Sequence, residues 1–155
     1  MINLCEFITN GKGFRHAGRD NADMRTASLI ILASLSALAS AQQLWVGSYF
    51  QNAVTRLDLS NGANLGTLPG GVANPLGMER RNGKVYVTAE SANQVRMYDE
   101  TTGAFLGNFA EGNMNGPTEV AFNAAGQAFV ANFNDNSVSR FAADSTYLGR
   151  FLTSG

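Results

Sequence analysis

Glu119 and Glu79 are the side chains whose type and placement could hold a hard cation, since they fall near matching points of a repeated pattern. Carboxylate oxygens suit calcium or magnesium, but such an ion takes about six oxygens. Two are too few, so a water-exposed Glu at a strand entrance is the plainer reading and no cofactor is expected. Asn132-Phe133-Asn134-Asp135-Asn136-Ser137 alternates amide and carboxylate oxygens as a calcium loop does. It lacks the Gly and the terminal Glu of an EF-hand loop. Asn and Asp also favour turns because they tolerate left-handed backbone and bond their own main chain. Arg56, Arg96 and Arg140 fall at or next to one repeat position. They either line an anionic face or lie across a neighbouring strand with packed stems and heads in water.

The only Cys is Cys5 and the only His is His16, so residues 42–155 carry neither. That segment can form no disulfide, no zinc site built on Cys or His, and no Ser-His-Asp arrangement. Gly11-Lys12 lacks the remaining Gly and the Ser or Thr of a phosphate loop. Seven basic and nine acidic residues give 42–155 a charge of −2 without runs. This is no basic stripe for neutralising phosphates, so nucleic acid is not an expected partner.

The elements that must position these residues recur. Leu44-Trp45-Val46-Gly47, Val85-Tyr86-Val87-Thr88 and Ala128-Phe129-Val130-Ala131 stand 41 and then 43 residues apart. Val54 to Asp58, Val95 to Asp99 and Val138 to Ala142 keep a similar step, as do Asn64-Leu65-Gly66, Phe105-Leu106-Gly107 and Tyr147-Leu148-Gly149. Short alternating strands repeating every 40–45 residues are the signature of β-propeller blades. The second unit reads as four strands: Leu76 to Glu79, Lys84 to Thr88 after an Asn82-Gly83 hairpin signal, Val95 to Tyr98, and Ala104 to Phe109. Trp45, Tyr86 and Phe129 share one slot and are expected in the core between blades.

The fold class is therefore all-β, a partial propeller of about two and three-quarter four-stranded blades. Blade 1 covers 44–69 with three strands, blade 2 covers 75–109 and blade 3 covers 117–151. Eleven strands leave two apolar faces uncovered. The sequence is read as the front portion of a roughly six-bladed ring cut short by a frameshift or gene-model error. Self-association into a closed ring is the competing account, and a fragment without independent function is a third.

Residues 24–41 have a different character. Met24-Arg25, the apolar run Leu29 to Leu38 and Ala39-Ser40-Ala41 have the order of a secretory signal peptide, with cleavage before Gln42. The run is short of the roughly 20 residues a membrane span needs. The chain from 42 is thus expected to be exported to the periplasm, cell surface or exterior, with no membrane span. Residues 1–23 read as a misassigned upstream start or an extended charged region.

Asn115-Gly116-Pro117 through Ala131, continued by Asn136-Ser137-Val138-Ser139-Arg140-Phe141, resembles the NHL-type repeat. Its form is Gly-Pro, an apolar strand, a Gly turn, an aromatic-Val-Ala strand, Asn-x-Val and an Arg-aromatic pair. The resemblance covers 44–155 and extends to the six-bladed group with gluconolactonase-like and streptogramin-lyase-like proteins. It departs at Leu76-Gly77-Met78-Glu79, where the strand is less hydrophobic. Gluconolactonase-like enzymes bind a divalent cation through Glu, Asn and Asp oxygens, which would give Glu119 and Glu79 that role. A streptogramin-lyase-like reaction has no His for its acid/base step in 42–155. The leading expectation is a secreted, non-enzymatic propeller binding a protein or small molecule on its face. The alternative is a metal-dependent lactonase-like hydrolase with further ligands elsewhere.

Overall fold

A computed structural model describes residues 2–5 and 42–153. The expected signal peptide and most of residues 1–23 lie outside the described residues. Among the described residues the fold is all-β, with one 3₁₀ turn at Glu90–Ala92. The first sheet is β1 (Ile2–Cys5), β2 (Gln43–Ser48), β3 (Ala53–Asp58) and β4 (Asn64–Thr67). The second is β5 (Pro75–Arg81), β6 (Lys84–Ala89), β7 (Gln94–Asp99) and β8 (Phe105–Glu111). The third is β9 (Pro117–Phe122), β10 (Ala128–Asn132), β11 (Ser137–Phe141) and β12 (Tyr147–Leu152). Each is an antiparallel meander with neighbours in chain order, and the three do not close on one another.

The first sheet corrects the strand count. Three strands were expected there, and Ile2–Cys5 supplies a fourth along β2, with Ile2 opposite Ser48 and Cys5 opposite Trp45. A bare β2 edge would present unpaired N–H and C=O groups, which an extended segment satisfies.

Strand alternation sorts side chains to two faces. In the first two sheets the aromatic of the second strand points toward the sheet that follows. Trp45, Val54, Leu68 and Val72 pack against Met78, Val85, Val87, Ala89 and Tyr98. Tyr86, Val95, Phe109 and Met114 pack against Val120, Ala128, Val130 and Phe141. The middle sheet is covered on both sides, so five of the six β6 residues are buried while β2 and β10 alternate. Phe129 takes the same slot as Trp45 and Tyr86 but is only half-buried, against expectation. Among the described residues no sheet covers it, and its ring meets Phe151, itself 63% exposed, at 5.0 Å.

Two of the repeated markers are joints. Gly66, Gly107 and Gly149 all have positive φ, and each sits where the fourth strand slips register against the third. The Leu-Gly marker is thus a bulge that needs a residue without Cβ. The Asn of Asn-x-Val is left-handed at Asn52, Asn93 and Asn136. Asn52 Oδ1 accepts the Asn74 N–H at 2.8 Å, and Asn93 Oδ1 accepts the Gly116 N–H at 2.8 Å. Asn74 and Gly116 each precede the Pro that opens the next sheet. The exposed Asn136 has no such partner among the described residues.

Asn93→Gly keeps the left-handed turn and removes the link, and is expected to cost about 1 kcal/mol in urea unfolding. Asn136→Gly, measured the same way, is expected to change stability by only a few tenths of a kcal/mol.

Candidate functional site

The first strands of the second and third sheets, β5 and β9, pack against each other. Gly77 allows this approach: a Cβ there would lie 2.6 Å from Thr118 O and 2.7 Å from Glu119 Cα. Thr88, fully buried, ties the joint. Its hydroxyl accepts the Gly77 N–H at 2.8 Å and lies 3.3 Å from both Gly77 O and Thr118 O, to either of which it can donate.

This joint brings together the two glutamates singled out from the sequence. Glu119 Oε1 lies 2.7 Å from the place a Gly77 Cβ would take and accepts its neighbour's N–H, from Val120, at 3.2 Å. One side of the residue faces solvent and the other is crowded by β5. Its pKa is pushed above the ordinary glutamate value, chiefly by burial. The Val120 N–H opposes that shift, and the negative charge of Glu79 adds to it. Among the described residues no group of three or more His, Cys, Asp or Glu gathers to hold a metal. The structure therefore places Glu119 and Glu79 within electrostatic reach of each other without a third acidic ligand.

The segment from Asn132 to Ser137 spends its polar atoms internally. Asn132, 4% exposed, donates to Ser137 Oγ and Ser139 Oγ at 3.0 Å and accepts the Asn115 N–H at 3.2 Å. Asp135 accepts from Ser137 Oγ at 2.6 Å and pairs with Arg150 at 2.6 Å. This is turn chemistry. The buried Asn132, Ser137 and Ser139 cluster was not foreseen, because short polar residues in a loop carry no burial signal.

The three arginines do not form one anionic face. Arg56 Nη2 donates to Leu65 O at 3.2 Å and Arg140 Nη2 to Leu148 O at 3.4 Å, each across the fourth strand of its own sheet. Arg96 sits one residue out of phase and so points to the opposite face. It donates to Gly70 O and Gly71 O, with its guanidinium 4.4 Å from the Phe105 ring centroid.

No family model matches the chain, and no curated protein matches it. Solved structures do. Hydrazine synthase from Kuenenia stuttgartiensis aligns with a TM-score of 0.62 at 15% identity, over 74% of this chain and 34% of that one. The computationally designed Ika8 protein aligns at 0.55 and 14% identity, over 70% and 33%. The designed Ika4 protein aligns at 0.57 and 13% identity, over 72% and 68%. The chain spans about a third of the length of the first two. Likeness at such identities shows the all-β antiparallel fold alone, and none of the three is by name an NHL-repeat or gluconolactonase-like protein.

A carboxyl whose pKa rises on folding binds its proton more tightly in the native state than in the unfolded one. Its contribution to stability is therefore present at low pH and lost as pH rises above the ordinary glutamate range. Glu119→Gln is expected to lose less stability than the unaltered protein between about pH 4 and pH 7, in urea melts at each pH. Parallel profiles would show that the joint leaves Glu119 unperturbed.

Proposed function

We propose that this chain is part of a β-propeller of the NHL-repeat-like kind, exported from the cell, that serves as a binding scaffold rather than an enzyme. The observation that carries this reading is the repeated joint. Two successive four-stranded meanders are fastened to their predecessors by the same asparagine-to-pre-proline hydrogen bond. A third such asparagine and the apolar outer face around Phe129 and Phe151 supply what a further unit of the same kind needs. That unit could come from continued chain or from a second copy, so self-association belongs to the same reading. Partners would be proteins or small molecules on the face of the ring where loops gather.

A binding role agrees with the sequence, since 42–155 has neither His nor Cys to act as base or nucleophile. Among the described residues no helix is long and apolar enough to cross a membrane. Export rests on the order of charge, apolar run and small residues in 24–41. N-terminal sequencing of protein recovered outside the cytoplasm is expected to start at Gln42, so that the exported form lacks Ile2–Cys5 and its first sheet has three strands.

The rival reading, a metal-dependent lactonase-like hydrolase, is favoured by one observation, the closeness of Glu119 and Glu79. Calorimetric titration with calcium and magnesium, beside a lactone-hydrolysis assay, separates the two. The scaffold reading expects no saturable metal binding and no hydrolysis above buffer. Calcium-dependent hydrolysis that disappears in Glu119→Gln would replace it with the enzyme.

A further inference from the structure

The junction between the second and third sheets opens at one end into a cleft of about 360 Å³. Small-molecule sites begin at about this size. Arg81, Lys84, Tyr86 and Phe109 line it from the second sheet, and Phe122 and Ala143 from the third. The β9–β10 hairpin closes one side through Gly126.

The first and second sheets meet in the same way, which allows a comparison inside one molecule. By repeat position, Gln43, Trp45 and Leu68 stand where Lys84, Tyr86 and Phe109 stand, while Arg80 and Glu100 stand in for Phe122 and Ala143. That first junction is tied shut. Gln43 Nε2 donates to Thr101 O at 2.8 Å, Arg56 Nη1 donates to the same carbonyl at 3.3 Å, and Arg80 pairs with Glu100. At the second junction the pair becomes Phe122 and Ala143, the indole becomes a smaller phenol, and Gln43 becomes a cation. The same space is left open.

Its chemistry is one-sided. Two cations line the cleft and no carboxylate does. Arg81 is anchored, donating through Nη1 to Asn123 O at 3.0 Å with its guanidinium 5.5 Å from the Phe122 ring centroid. The Lys84 ammonium has no hydrogen bond or ion pair among the described residues. Asp99 stands opposite it in register, but Asp99 Oδ1 already accepts from the Thr101 and Thr102 N–H groups and the Thr102 hydroxyl. Asp144, on the neighbouring turn, accepts the Thr146 N–H. Tyr86 is 8% exposed, and its hydroxyl has no hydrogen-bond partner among the described residues. The Tyr86 hydroxyl and the Lys84 ammonium thus stand together at the cleft as donors without a protein partner among the described residues.

We propose that this cleft binds a small organic anion with a flat aromatic body, of the aromatic carboxylate class. The ring lies among Tyr86, Phe109 and Phe122, and the carboxylate accepts from Lys84, Arg81 and the Tyr86 hydroxyl. The site stands on side chains of two sheets alone and goes beyond the scaffold reading. Hydrolytic activity at Glu119 would leave its expectations unaltered.

The test uses 2-naphthoate as probe, followed by calorimetry and by backbone amide shifts at Lys84, Gly126 and Ala143. Saturable one-to-one binding is expected, with the shifts confined to the cleft. Lys84→Gln is expected to weaken it about tenfold and Lys84→Arg to restore it, as a charge-assisted hydrogen bond requires. Ala143→Glu supplies the carboxylate that the first junction has at Glu100 and is expected to abolish binding. Neutral 2-naphthamide is expected to bind at least about tenfold more weakly. Equal affinity for naphthoate and naphthamide overturns the proposal. So does unchanged affinity in both Lys84→Gln and Ala143→Glu, or the absence of saturable binding.

Discussion

The stacking of sheets depends on a left-handed asparagine that serves two neighbours at once. At Asn52 the carbonyl accepts the Val72 N–H at 3.0 Å while the side-chain oxygen accepts the Asn74 N–H at 2.8 Å. Asn93 repeats this with the Gly112 N–H at 3.1 Å and the Gly116 N–H at 2.8 Å. Asn suits the place because it tolerates positive φ and carries an acceptor on a short stem. The receiving side is equally constrained. Pro75 and Pro117 have no N–H, so the residue before each offers the last donor ahead of the new strand. One turn thereby sets where the next sheet begins, and the apolar faces meet in register because of it.

The middle sheet shows what that arrangement achieves. Covered on both faces, it buries nearly all of β6, and Thr88 reaches across to the next sheet's Thr118 carbonyl. The third sheet has the same alternation with one face uncovered. Phe129 and Phe151 then turn to each other, which removes part of their surface from water without a further sheet. The open face differs from the buried ones in what lies against it, not in its pattern of residues.

This explains how much was legible beforehand. The three meanders, their turns and the slot of Trp45 and Tyr86 follow from alternation and from Asn and Gly placement, which are local signals. Ile2–Cys5 as a strand of the first sheet was not legible, because pairing across some forty residues of sequence leaves no periodic mark. The exposure of Phe129 depends on a neighbour, and no residue type encodes one. The phase of Arg96 was visible as an offset of one position, but its consequence appears only when strand geometry turns an odd offset into the opposite face. For the candidate sites, Glu119 could be set at the repeat position of Gly77, two residues from that of Glu79, whereas Lys84 and Ala143 look ordinary until the two junctions are compared.

That comparison carries a general argument about repeats. Where each unit must present the same two faces to its neighbours, selection for folding alone would keep equivalent junctions equivalent. The first junction closes with two donors on one carbonyl, beside the Arg80–Glu100 pair of the second sheet. The second gives up all three contacts, with Phe122 and Ala143 in place of the pair, and lines the opening with Arg81 and Lys84. Loss of the contacts alone would leave a cavity lined by apolar atoms. Both members of the ion pair are replaced at the second junction, yet Lys84 stands in the place of Gln43 beside Arg81. Cations without a carboxylate thus face aromatic walls, an asymmetry that an anionic occupant explains.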